Sequence, residues 1–120
     1  MVIVVCGGRD FNDEPFIREA LDLANNQLQI EVLIHGNCEG VDKLSGKWAR
    51  DNGVQEVIVP PNWKLHGKAA GPIRNSVMLD LNADVLVAFP GGSGTDNITN
   101  QANKKRIKVI TIKRKSNENK

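Results

Sequence analysis

The chain has 120 residues and a mass of 13.2 kDa, the size of one compact domain, and folding should bury about 65–70 % of the surface that the unfolded chain exposes. It is 40 % hydrophobic and 25 % charged, and no apolar run approaches the roughly 20 residues of a membrane-spanning helix, which excludes that class. The net charge of +2 is uneven: Lys113–Lys120 holds four basic residues and one acid, leaving residues 1–112 at −1, so the body is not a basic nucleic-acid platform.

The elements alternate along the chain. Val2–Val5 is a β-branched run; with no basic residues before it and too short for a signal peptide, it reads as a first strand. Asn12 or Asp13 can cap a first helix with Pro15 in its first turn, in which Phe16, Ile17, Ala20, Leu21 and Ala24 recur at helical spacing. Glu31–His35 is the second strand. A second helix presents Val41, Leu44, Ser45 and Trp48 inward and stops at Gly53. Glu56–Val59 is the third strand, ended by Pro60-Pro61, and a polar loop carries Trp63 and His66 to Gly71. Pro72 opens a third helix with Ile73, Val77, Met78 and Leu81 on one face. Asp84–Phe89 is the fourth strand, Pro90–Thr95 leads into a fourth helix, and Ile107–Ile112 is the fifth strand. Short apolar strands alternating with helices predict a parallel sheet buried on both faces. With right-handed crossovers this gives a doubly wound, Rossmann-like α/β domain over residues 1–112, sheet order 3-2-1-4-5, with helices on both faces. Residues 113–120 form a basic, frayed tail.

Two cysteines and no secretion signal predict a reducing, cytoplasmic setting without a disulfide framework. Cys6, His35, Cys38 and His66 match no zinc spacing, so no metal is expected; partly buried thiols and a loop histidine account for them.

Ligands of open α/β sheets sit beyond the carboxyl ends of the strands, where strand order reverses. Three glycine-bearing loops fall there: Cys6-Gly-Gly-Arg-Asp10, His35-Gly-Asn-Cys-Glu-Gly-Val-Asp42 and Pro90-Gly-Gly-Ser-Gly-Thr95. Gly91, Gly92 and Gly94 let backbone amides approach an anion and permit positive φ, the helix that follows presents free N–H groups, and Ser93 and Thr95 add hydroxyls. For one loop alone, a tight strand-to-helix turn explains the glycines. Three at one switch point favour a phosphorylated ligand. The spacing is neither G-x-G-x-x-G nor a P-loop, which disfavours NAD in the usual pose and a P-loop nucleotidase.

Gly7, Gly8 and Gly36 join this cradle. Arg9 and Arg74 are candidate phosphate cations, Arg74 with a surface salt bridge as its alternative. Asp10 and Asp42 are candidate acceptors of ribose hydroxyls; an Asx turn and a first-turn helix charge are their alternatives. Asn75 either bonds a base or braces a loop. Trp63 either stacks on a base or lies as a hydrophobic cover at the sheet edge.

Taken together, Gly7-Gly-Arg-Asp-Phe11, His35-Gly-x-x-x-Gly-x-Asp42, Trp48-Ala49, Gly71-Pro-x-Arg-Asn75 and Pro90-Gly-Gly-x-Gly-Thr95 resemble the YspA/YpsA-like branch of the SLOG superfamily, which also holds the LOG phosphoribohydrolases and the DNA-processing protein DprA. The resemblance covers nearly all of residues 2–112. It implies a Rossmann-like fold, a nucleotide or nucleotide-derived ligand and, because LOG proteins dimerise, a homo-oligomer. LOG enzymes release the base from nucleoside 5′-monophosphates, and their pattern runs Pro-Gly-Gly-x-Gly-Thr-x-x-Glu. Arg74 and Pro90–Thr95 match that pattern, but the glutamate position is Ile98, which cannot take part in proton transfer. Asp96, about 200° around the helix, is no substitute.

Three functions follow as expectations. The first is a sensor or sequestering module for a nucleotide-derived molecule. The second is a nucleotide N-glycosidase, with Arg74, Asp42 and Asp10 as its candidate catalytic residues. The third is a DprA-like single-strand nucleic-acid binder using the basic C-terminal stretch, which the body charge makes the least favoured.

Overall fold

The structure, a computed structural model, describes residues 1–114. Its five strands, β1 (Val2–Cys6), β2 (Val32–His35), β3 (Gln55–Ile58), β4 (Val85–Ala88) and β5 (Lys108–Thr111), form one parallel sheet in the order β3-β2-β1-β4-β5. This is the expected doubly wound α/β order. Pairing of Val4 with Ile34 on one side and with Leu86 on the other places Cys6, His35 and Ala88 at the same carboxyl edge. Ile3, Val4 and Val5 are fully buried, as both-faces-covered strands require.

Each face of the sheet has its own core. On one, Ile3, Val5, Leu33, Val85 and Val87 meet Ile17, Leu21 and Trp48. These last residues belong to α1 (Glu14–Leu28) and α2 (Val41–Asp51). Asp13 caps α1 by accepting from the Phe16 N–H at 3.2 Å, and Pro15 lies in its first turn. Trp48 is wholly buried, its indole N–H donating to Asp22 of α1 at 2.8 Å. Gly53, with φ 70°, follows the end of α2, a left-handed stop that favours glycine.

On the other face, Val4, Cys6, Ile34, Leu86 and Ala88 pack against Met78, Leu79, Ile98 and Ala102. The helices are α4 (Ala70–Leu79) and α5 (Ser93–Lys104). Two expectations are corrected here. The loop after β3 contains a one-turn helix, α3 (Trp63–His66), followed by a 3-10 turn at Gly67–Ala69. Helix α4 begins at Ala70, two residues before Pro72, and its inward face is Ala70, Asn75, Met78 and Leu79. Ile73, Val77 and Leu81 point to solvent, and only Met78 of the expected stripe is buried. The reason is that α4 spends part of its inner surface on polar residues that serve the carboxyl edge.

Arg114 pairs with Asp13 at 2.7 Å and lies 5.8 Å from the ring centres of Phe11 and Phe16. An aromatic pair and a carboxylate thus stand within reach of Arg114. Residues 115–120 of the expected tail lie outside the described residues. Among the described residues no helix is long and apolar enough to cross a membrane.

Candidate functional site

The three glycine loops meet by backbone contact. The Gly8 N–H donates to Pro90 O at 2.8 Å, and the Val41 N–H donates to Gly8 O at 3.3 Å. A Cβ on Gly7 would stand 2.5 Å from Val41 Cγ2 and 2.9 Å from Phe89 Cβ, so this approach excludes any side chain. Gly40 has φ 79°, and a Cβ there would stand 2.7 Å from Arg9 O. Only glycine reaches that conformation at low cost.

The loop after β2 has a second set of braces. Asp42, nearly fully buried, accepts on Oδ2 from the Gly36 N–H (3.1 Å) and the Cys38 N–H (3.2 Å). Burial pushes its carboxyl above the usual carboxylate range, against the opposing pull of those two N–H groups and of His35 and Arg74. His35 ends β2 and is 1 % exposed. Its Nδ1 accepts the Asn37 N–H at 3.0 Å, so Nε2 carries the proton and donates to Glu56 Oε2 at 2.6 Å. Glu56 also accepts from Arg50 at 2.5 Å. Gly46 of α2 makes room for this pair, since a Cβ there would overlap both partners. Burial raises the Glu56 carboxyl, but hydrogen bonds from His35 and Arg50 outweigh it and hold the group below its ordinary value.

Arg74 makes no salt bridge among the described residues. Its Nη1 donates to Gly36 O at 2.8 Å and its Nε to Asn75 Oδ1 at 3.0 Å. Asn75, nearly fully buried, passes the connection to α5: its Nδ2 donates to Asn97 Oδ1 at 3.1 Å. Gln101 donates to the same oxygen and to Pro72 O. The polar composition of α5 thus serves its contact with α4, while Ile98 and Ala102 are its buried apolar residues.

A cleft of about 630 Å³ opens between these loops and the segment from Trp63 to Pro72, within the range of small-molecule sites. Gly7, Gly8, Arg9, Asp42, Arg74, Asn75, Gly92, Ser93, Gly94 and Thr95 line it. Asp10, Gly36 and Gly91 do not. Asp10 is exposed, Gly36 is buried beneath the Arg74 guanidinium, and Gly91 packs on Gly8 and Thr95. Helix α5 has no side-chain cap, so the N–H groups of its first turn face the cleft mouth without intrahelical partners. Gly91, Gly92 and Gly94 do not have the positive φ expected of them. Gly91 is required by close approach, with a Cβ only 2.8 Å from Gly8 N, whereas a Cβ on Gly92 or Gly94 would meet open space.

Residues 1–66 match the family model described as YAcAr: YspA, cpYpsA-related SLOG family. The Gene 61 protein of Mycobacterium phage D29 is 32 % identical over 118 residues, which is 92 % of this chain and 94 % of that protein. The chain belongs to this SLOG family. Its fold is also that of DNA processing protein A (DprA) from Streptococcus pneumoniae, with a TM-score of 0.77 at 16 % identity. That match covers 98 % of this SLOG chain and 52 % of the DprA chain, so the chain spans about half the length of that protein.

Against the LOG pattern, this SLOG protein places Ile98 at the glutamate position, 1 % exposed in the core beneath the cleft. Asp96 is exposed and lies outside the lining. Asp42 is the one carboxylate among the described lining residues. Cys6 also lines the cleft, but burial, with the Asp42 charge, pushes its thiol up to about 12, which keeps it protonated and unreactive. The lining also includes Lys68 and Asn97, which the sequence reading did not single out. One of two lysines in a polar loop, and an asparagine in a helix rich in them, carry no distinguishing signal.

Proposed function

We propose that this protein binds a nucleotide or nucleotide-derived small molecule at the carboxyl edge of its sheet, as a sensor or sequestering module. The observation that carries the reading is the uncapped first turn of α5, facing a cleft that also receives Arg9, Arg74 and Lys68. Free amides at a helix N-terminus and three cations favour an anion. Against them stands one carboxylate, whose burial disfavours its charge. The ligand's phosphate sits over Ser93, Gly94 and Thr95, and Asp42 Oδ1, which makes no hydrogen bond among the described residues, accepts from the sugar. Binding as a homo-oligomer, as LOG relatives do, belongs to the same reading.

Native mass spectrometry with nucleotides, cyclic nucleotides and ADP-ribose derivatives tests it, and counts subunits in the same spectrum. Gly92→Val is the matched variant, because a Cβ there would meet open space. Wild type should hold an adduct that Gly92→Val loses at unchanged melting temperature. Retained affinity in the folded variant would refute the cradle.

Hydrolysis of the N-glycosidic bond is the second reading, and it narrows to Asp42. That carboxyl is buried in the cleft with a raised pKa, as a general acid requires. Release of free base by wild type and its loss in Asp42→Asn would favour hydrolysis over simple binding.

A further inference from the structure

The cleft has one wall that the binding reading does not use. Trp63 and Lys68 line it from the segment Asn62–Ala69, every residue of which is exposed. Trp63 itself is 55 % exposed. The far edge of its indole packs over Gly71, with Cη2 at 3.9 Å from where a Cβ on that glycine would stand. The residue remains more than half exposed beside the cleft. The segment's hydrogen bonds are local: Asn62 accepts from the Leu65 and His66 N–H groups, Trp63 O from the Gly67 N–H, and Gly67 O from the N–H of Ala70 at the start of α4. No hydrogen bond among the described residues fixes the ring to the body of the protein.

From this wall we infer that Trp63 is the base-stacking surface of the site, so that the ligand is a nucleotide carrying an aromatic base rather than a sugar phosphate alone. The inference rests on the anion-binding reading of α5 and adds the chemical class of the ligand's other end. A sugar phosphate satisfies amides, hydroxyls and guanidinium groups, and gains nothing from an indole. A planar base gains dispersion and stacking from it whichever base it is, because every base has a π-face. A second protein chain covering Trp63 is the competing occupant. Lys68 in the same wall argues against it, since an apolar protein contact would bury that ammonium without a carboxylate to meet it. Among the described residues Lys68 makes no salt bridge.

The chain contains two tryptophans, and Trp48 is wholly buried, so quenching of intrinsic fluorescence by acrylamide reports Trp63. The probes are ribose 5-phosphate and the four ribonucleoside 5′-monophosphates, titrated into the whole chain by calorimetry. Ribose 5-phosphate and the nucleotides should all bind, the tightest nucleotide at least about fivefold more tightly, from stacking. The nucleotides should shield Trp63 from acrylamide, and ribose 5-phosphate should not. Trp63→Ala should erase the fivefold difference and leave ribose 5-phosphate affinity unchanged, while Trp63→Phe keeps most of it. Equal affinities in wild type, unmoved by Trp63→Ala, would overturn the base surface and leave the phosphate cradle standing. Failure of every probe to bind would instead sink the cradle reading, and this inference with it. Shielding of Trp63 without any probe, at a dimer mass, would assign the indole to a protein contact and overturn the inference.

Discussion

One wall of the cleft consists of the loops at 7–10, 36–42 and 90–95, and hydrogen bonds run between those loops and into the helices behind them. The other wall, Asn62–Ala69, bonds only with itself and with the start of α4, and it buries no side chain. Both are connections after parallel strands, and both carry cations and glycines. They differ in what occupies the space behind them. Val41 and Phe89 press on Gly7 and Arg74 on Gly36, and Gly8, Gly40 and Gly91 meet neighbouring backbone, so most glycines of the first wall are defined by contact, while Gly92 and Gly94 at its rim face open space. A Cβ on Gly67 of the second wall would meet nothing. The first wall is thus part of the folded core's stability, while the second, exposed along its whole length, adds little to it.

Substitutions separate the two walls most strongly at Gly7. Gly7→Val would drive methyl groups into Val41 and Phe89 and should cost about 3 kcal/mol, as overpacking of a filled interior does. Urea unfolding measures it; a cost near zero would mean that the three loops are not packed as described. Arg74→Ala should follow. It leaves the buried Gly36 carbonyl without its donor, at a cost of about 1–3 kcal/mol. Ligand affinity should fall as well, because the loop that Arg74 braces also holds Asp42.

The braced wall should also respond to pH through Glu56. Its folded pKa is lowered, so its contribution is present above the ordinary value of 4.5 and is lost as pH falls through the folded value. Asp42 acts in the opposite sense: its raised pKa makes its contribution largest when protonated and lost as pH rises past 3.8 and through the folded value. Glu56→Gln should lower stability at pH 7 by about 1–3 kcal/mol. It should also flatten the acid limb, so that the difference in melting temperature from wild type shrinks as pH drops below 4.5. A difference that stays constant with pH would show that the His35–Glu56–Arg50 cluster contributes no titrating stability.

The contrast between the walls also marks what the sequence could and could not convey. Strand order and the meeting of the three glycine loops were legible because Val2–Val5 and Asp84–Phe89 are apolar runs of a kind that only a doubly covered sheet can bury. The Ile73–Val77–Leu81 stripe pointed the wrong way. Periodicity locates an apolar face but not the polar residues that outbid it, and Asn75 is buried there because Arg74, Asn97 and Gln101 form a chain of hydrogen bonds through it. The burial of His35 was hidden likewise, since its partner Glu56 lies 21 residues away on β3. Helix α3 gave no sign, because one turn is too short to show a period and its cap is a single asparagine.

The smallest expected effect tests the unbraced wall. Asn62 Oδ1 accepts the Leu65 N–H at 3.1 Å and its carbonyl takes the His66 N–H at 3.0 Å, so Asn62→Ala removes the side-chain cap of α3 and leaves the backbone bond. A lost cap typically costs about 1 kcal/mol locally. A segment that opens on its own does not pass that cost to global unfolding. Amide exchange at Leu65 should therefore speed about fivefold, while the urea midpoint moves by less than about 0.5 kcal/mol. Gly36 and Cys38, whose N–H groups are held by Asp42, should exchange as in wild type. If the variant instead lowers the urea midpoint and accelerates exchange at Gly36 as well, the two walls open as one unit. Trp63 would then stand on a scaffold as rigid as the glycine loops, and shielding of its indole by a nucleotide would report binding to a surface already in place.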